Sequence, residues 1–193
     1  MPRQSRIDFP GALHHIIVRG IERRPIFEDD QDRYTFIERL GKLVEQTHTG
    51  CLAWALLPDH LLLLLGTGSA TISSFMSRLL TGHATYFKRR HGRSGHLFQN
   101  LYKSILCQED AYLLELVRYL HLNPLRLRAH LVKGMKQLAR YLFSGHGVIM
   151  GKHELSWQET EAVLVYFGAT KNQARNSSAP LSAKESINGE AMT

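Results

Sequence analysis

The stretch Trp54–Gly66, WALLPDHLLLLLG, constrains the fold more than any other part of the chain. Two short apolar runs are separated by Pro58 and Asp59. Proline presets φ for a tight reversal and aspartate bonds its own backbone, so the pair is a turn signal. The segment from Cys51 to Gly66 therefore reads as a β-hairpin, with His60 opening its second strand. Side chains alternate along a strand, which puts His60, Leu62 and Leu64 on one face and Leu61, Leu63 and Leu65 on the other. Both faces are apolar, so both need a cover.

Apolar periodicity elsewhere supplies the covers. Leu13 to Arg19 alternates as a strand, and Asp29 to Gln46 carries Tyr34, Phe36, Ile37, Leu40 and Val44 at helical spacing. Ile72 to Arg90 reads as a second helix and Tyr102 to Cys107 as a further strand. The order strand, helix, strand, strand, helix, strand predicts an α+β fold, a ferredoxin-like antiparallel sheet with helices on one face. The odd leucines of the hairpin would pack on those helices. In such a sheet the first and third strands are neighbours, and His15 would stand close to His60 if both point to the same face; a slip of one residue would reverse this.

The cover for the other face is expected from residues 109–124, EDAYLLELVRYLHLNP. Leu113, Leu116, Val117 and Leu120 form one apolar stripe, Glu109 and Asp110 suit the positive end of the helix dipole, and Pro124 marks the expected end. Tyr119 and Asn123 lie one turn apart on the flank of the stripe. They can be margin-of-core residues, or a phenol and an amide converging on a phosphate or a metal ion.

Charge points to a polyanion. The net charge is +7, which favours nucleic acid or an anionic membrane surface. No acidic residue occurs between Asp59 and Glu109, while Arg78, Lys88, Arg89, Arg90, Arg93 and Lys103 fall inside that interval. Its core, TYFKRRHGRSGHLFQNLYK, interleaves these cations with Tyr86, Phe87, Phe98 and Tyr102. Cations neutralise phosphates and aromatic rings stack on unpaired bases, so the segment suits single-stranded or hairpin DNA. A solvated helix end whose aromatics belong to the core is the other reading. No apolar run reaches the ~20 residues of a membrane span and the N-terminus has no signal-peptide core, so a soluble cytoplasmic protein is expected. Cys51 and Cys107 are too far apart for a Cys-x-x-Cys zinc site and read as reduced, buried small hydrophobes. His14, His15, His91, His96, His121 and His146 show no zincin-type pair, and most of them are expected at the surface or on phosphates.

The run Pro58, Asp59, His60, Leu61, Leu62 and the later Tyr119, Leu120, His121, Leu122, Asn123, Pro124 together resemble the single-tyrosine transposases of the HUH superfamily, most closely the REP-associated tyrosine transposases within the IS200-like family. Pro10-Gly11, His15, Arg19-Gly20 and Arg23-Arg24 resemble that family's opening strand and basic loop, although Ile21 stands where an asparagine is usual. The resemblance implies the same ferredoxin-like architecture with the tyrosine helix on the second sheet face. It also implies Tyr119 as nucleophile, and a divalent ion, Mg²⁺ or Mn²⁺, held by two histidines and a polar residue one turn after the tyrosine. His60 matches the first ligand and Asn123 the third. Leu62 stands where the second histidine belongs, and leucine cannot bind a hard cation.

The implied reaction nicks and rejoins single-stranded or hairpin DNA through a 5′-phosphotyrosine, with DNA contacts expected at Arg19, Arg78, Lys88, Arg89, Arg90, Arg93 and Lys103. The alternative is a catalytically impaired relative that keeps the fold and the hairpin binding. An RNA-binding ferredoxin-like module is a weaker reading, since its aromatic strand motif is missing. A homodimer is compatible with the sequence.

Residues 1–134 are expected to form the transposase domain and 135–168 a C-terminal helical extension. Within the extension, Ser144 to Lys152 looks like a Gly-broken surface loop, and Ser156 with Glu159 reads as a capping box opening a final helix to Phe167. Residues 169–193 are polar and small, and are expected to be disordered.

Overall fold

The computed structural model describes residues 9–107, 110–126 and 131–167. The tail 169–193 and the expected helix start at Glu109 lie outside the described residues. Four strands, β1 (Leu13–Arg19), β2 (Gly50–Leu56), β3 (His60–Gly66) and β4 (Lys103–Cys107), form one sheet in the order β2-β3-β1-β4. All pairings are antiparallel. With α1 (Asp30–Thr47) and α2 (Ile72–His91) as the two crossovers, this is the expected ferredoxin-like arrangement.

Each crossover helix begins and ends on local chemistry. The Asp29 side chain accepts the Asp32 N–H ahead of α1, and Thr71 accepts the Ser74 N–H ahead of α2. His48 ends α1 and Gly92 ends α2, both with left-handed backbone. Leu61, Leu63 and Leu65 pack with Ile16 and Val18 of β1, Phe36 and Leu40 of α1, and Phe75, Met76 and Leu79 of α2. Leu62 and Leu64 share the opposite core with Leu113, Leu116, Val117 and Leu120 of α3 (Asp110–Arg126). The two faces of the hairpin are thus covered as its alternation requires.

The tyrosine helix continues past its expected end: Pro124 lies inside α3, which runs to Arg126. Proline removes one N–H donor, a small loss in a last turn that has few bonds left to make.

The C-terminal segment differs more. It contains α4 (Met135–Leu138), α5 (His146–Ile149) and α6 (Thr160–Phe167). Ser144 to Ile149 is not a surface loop: Ser144, His146, Val148 and Ile149 are all buried. The reason is the exposed edge of β2, whose unpaired backbone groups need partners. Leu56 N–H donates to the Phe143 carbonyl and Gly145 N–H to the Trp54 carbonyl, while Glu159 N–H donates to the Cys51 carbonyl. The last of these also displaces the capping box. Residues 156–159 are occupied along the β2 edge, and α6 starts four residues after Ser156, at Thr160.

Candidate functional site

Tyr119 is among the exposed large hydrophobic side chains, 43% accessible, on an α3 whose stripe is otherwise buried. Its ring stands edge-on to the imidazole of His15, with centroids 6.3 Å apart. His15 lies on β1 beneath α3. Arg126, seven residues further along the same helix, places its guanidinium carbon 5.7 Å from the Tyr119 ring centre. Lys103, opposite Ile17 on β4, faces the same side of the sheet as His15. Burial, and then the nearby Lys103 charge, push the His15 pKa down to about 4.

His60 occupies another place. Its Nδ1–H donates to Asp59 Oδ1 at 2.7 Å. A carboxylate that fixes one ring nitrogen and leaves Nε2 outward is the usual support of a metal-binding histidine. His60 pairs with Arg19 across the strands, whereas His15 pairs with Leu64. Both histidines share the α3 face, but four strand positions separate them, about 13 Å at 3.3 Å per residue. The expectation that they stand close is therefore corrected: the face is right and the offset along the strand is what keeps them apart. Leu62, opposite Ile17, sits between the two rows and is buried. Asn123, one turn after Tyr119, is also buried.

These residues do not fit a complete divalent-metal centre. His60 is prepared for a ligand role, Leu62 has no donor atom, and among the described residues no group of three His, Cys, Asp or Glu side chains could hold an ion.

The basic segment is engaged unevenly. Arg90 pairs with both Asp29 and Asp32, and His91 with Glu28 and Asp32. The Arg90 bond holds the Asp29 carboxyl well below the usual carboxylate range. Acidic residues distant in sequence thus fold back onto the end of α2. Arg93 donates to the Pro25 carbonyl and lies over the Phe87 ring, and Arg78 donates to Gln46. Among the described residues, Lys88, Arg89, Arg19 and Lys103 form no ion pair, and Arg19, Arg89 and Lys103 are exposed. The aromatics expected to stack on bases belong largely to the core: Phe87 and Tyr102 are buried, and Tyr86 and Phe98 pack against them. They share that core with Leu79 and Leu80, and burial there is more favourable for their ring faces than water would be.

The loop after α2 returns to the end of β1: Ile21 N–H donates to the Leu97 carbonyl, Gln99 N–H to the Arg19 carbonyl, and Gly20 N–H to the Asp59 carbonyl. Arg19, the Asp59–His60 pair and the 97–99 loop therefore meet at one end of the sheet, and Lys103 follows along β4. Several histidines are interior rather than at the surface: His14, His15, His83, His121 and His146 are buried, whereas His48 and His96 are exposed. Sequence reading also missed Arg126, although a spacing of seven puts it on the Tyr119 face of the helix.

Residues 10–123, more than half of the chain, match the family described as transposase, IS200-like. Among solved structures, a REP-associated tyrosine transposase bound to a REP hairpin superimposes with a TM-score of 0.62 at 17% identity, covering 82% of this chain and 98% of that one. A candidate transposase of Deinococcus radiodurans R1 matches with a TM-score of 0.42 at 19% identity, over 58% of this chain and 89% of that one. No curated protein matches the chain. Among the described residues, no helix is long and apolar enough to cross a membrane.

Proposed function

The chain belongs to the IS200-like transposase family, and we propose that it binds hairpin or single-stranded DNA ends and attacks them with Tyr119, leaving a 5′-phosphotyrosine and a free 3′-hydroxyl. A family of DNA-processing enzymes supplies the reaction class, and the REP hairpin held by the structural neighbour supplies the kind of partner. The observation that carries the reading is Tyr119 itself: it lies within the matched span, on the sheet-facing helix, exposed, and beside the Arg126 guanidinium and the buried imidazole of His15. A phenol is a weak nucleophile at its ordinary pKa near ~10 and needs such neighbours.

DNA reaches the site along Arg19, Lys103, Lys88 and Arg89, with Arg78, Arg90 and Arg93 contributing field more than direct contact because each already holds a protein partner. A divalent ion, Mg²⁺ or Mn²⁺, would find His60 and Asn123 but nothing at position 62, so its binding is weak. That observation favours a second reading, a hairpin-binding relative whose cleavage is impaired.

Incubation with a hairpin oligonucleotide carrying a single-stranded 5′ extension, with Mn²⁺, separates the two. A covalent protein–DNA band that Tyr119→Phe abolishes supports the transposase; retained binding without any band supports the impaired relative. A band that survives Tyr119→Phe removes Tyr119 from its role.

A further inference from the structure

His15 is 4% exposed, and neither of its ring nitrogens has a hydrogen-bond partner among the described residues. Buried polar groups are nearly always paired, so an imidazole left doubly unpaired beside an exposed tyrosine calls for a reason. We propose that His15 positions the Tyr119 phenol and takes its proton as the bond to phosphorus forms. The proposal rests on Tyr119 being the nucleophile and adds the group that activates it.

Ring centres 6.3 Å apart are within the roughly 7 Å over which a phenol hydroxyl and an imidazole nitrogen can share a hydrogen bond. Tyr119 is 43% exposed, whereas His15 is fixed on a central strand between Leu64 of β3 and Ile105 of β4. Among the described residues, the charged or titratable groups on its side of the sheet are Lys103 and Cys107 of β4, Tyr119 of α3 with Arg126 against its ring, and, about 13 Å along the strands, Arg19 and His60; the nearest β3 side chains are leucines.

A base must be unprotonated before the reaction, and burial together with Lys103 keeps this imidazole neutral. A phosphodiester seated against Lys103 cancels that repulsion, so DNA raises the proton affinity of His15 at the moment it is needed. In the step itself the Tyr119 oxygen bonds to phosphorus and the bond from phosphorus to the 3′-oxygen breaks. The phenolic proton passes to His15, and the departing 3′-oxygen, on the far side of phosphorus in an in-line displacement, takes its proton from solvent, so charge and protons balance. Arg126 offsets the negative charge that develops on the phenol oxygen.

The test uses the full chain and the same hairpin oligonucleotide, with the initial rate of adduct formation followed from about pH 5 to pH 9 in wild type and His15→Gln, and in the Leu62→His background where wild type gives too little adduct. Loss of a positioned base costs about 100-fold or more. His15→Gln is expected to be slower by at least that factor near pH 7, with a rate that keeps rising with hydroxide instead of reaching a plateau. An unchanged rate, or an equal loss at every pH, overturns the proposal. A second measurement holds whether or not an adduct forms: the imidazole ¹⁵N shifts of His15 are expected to move when Tyr119→Phe removes only the hydroxyl, and unmoved shifts overturn the pairing. Absence of adduct in both backgrounds, with the ¹⁵N shifts responding, instead locates the failure in the nucleophile assignment.

Discussion

Replacing Leu62 with histidine puts a potential ligand where the family pattern expects one, and its thermodynamics can be worked out before any cleavage is measured. Leu62 is 2% exposed and lies in the core shared with Leu64, Leu113, Leu116, Val117 and Leu120. Losing its burial costs about 2 kcal/mol. The incoming imidazole has Ile17 and Ala55 as cross-strand neighbours, neither of which offers a side-chain partner, and unmade hydrogen bonds cost a further ~1–3 kcal/mol. At ~2–4 °C per kcal/mol for a domain of this size, Leu62→His is expected to melt roughly 10 °C lower without metal. Mn²⁺ at a hundred times its dissociation constant returns about 2.7 kcal/mol, most of the deficit. Scanning calorimetry of both proteins with chelator and with Mn²⁺ reads this directly. Equal Mn²⁺ shifts in wild type and variant would show that the ion is held without position 62, and an unchanged melting temperature in chelator would refute the packing argument.

Charge reversal of Lys88 and Arg89 is expected to weaken hairpin binding and flatten its salt dependence with little change in melting temperature, as seen by fluorescence anisotropy at several salt concentrations. Arg90→Glu is expected to differ, lowering stability as well, because it sets three carboxylates together at Asp29, Asp32 and the new glutamate. Stability is expected to fall steeply as pH drops from about 6.5 to 4, the range in which unfolded histidines bind protons that His15, His83 and His146, each lowered to about 4, still refuse. Each contributes ~1.4 kcal/mol per pH unit there, so His146→Gln reduces the slope of urea-derived stability against pH by about that amount. Gln158→Ala leaves the Trp54 Nε1–H and the Gly145 carbonyl without their partners, 2.9 and 3.1 Å away in the wild type. It is expected to cost ~2–4 kcal/mol and to open residues 143–159 to limited proteolysis.

Most of the architecture was legible because it is written at short range. The Pro58-Asp59 turn, the alternation of Leu61 to Leu65 and the capped helices each need only neighbouring residues to be read, and together they leave few topologies. What could not be read depends on partners far along the chain. Nothing local in SGHGVIMGK reveals that Trp54 and Cys51 need its region to close the edge of β2. Equally, nothing near Arg90 reveals Asp29 and Asp32, 61 and 58 residues away. The candidate site was legible as residue types but not as spacing: His60 and Tyr119 stand out in the sequence, whereas the distances separating them from His15 follow from strand register, which only the paired structure fixes.

That spacing bears on why a leucine is tolerated at position 62. The row from His15 through Leu62 to His60 lies under α3, and its middle member is the one most enclosed by apolar side chains. A histidine there works against the packing that holds the tyrosine helix down, and only a bound ion repays it. His60 avoids the conflict by standing at the strand end with Asp59 as partner, and His15 avoids part of it by facing the exposed Tyr119. Of these three positions, 62 is therefore where an apolar side chain in place of a histidine favours the fold most, by the same ~3–5 kcal/mol that Leu62→His costs. Functional sites commonly carry such destabilised residues, and relieving one strengthens the scaffold at the expense of chemistry. It follows that Leu62→His, if it brings metal-dependent cleavage, does so in a less stable protein, and that hairpin affinity, which the proposed function places on the Arg19, Lys88, Arg89 and Lys103 surface, is expected to stay unchanged in the same variant.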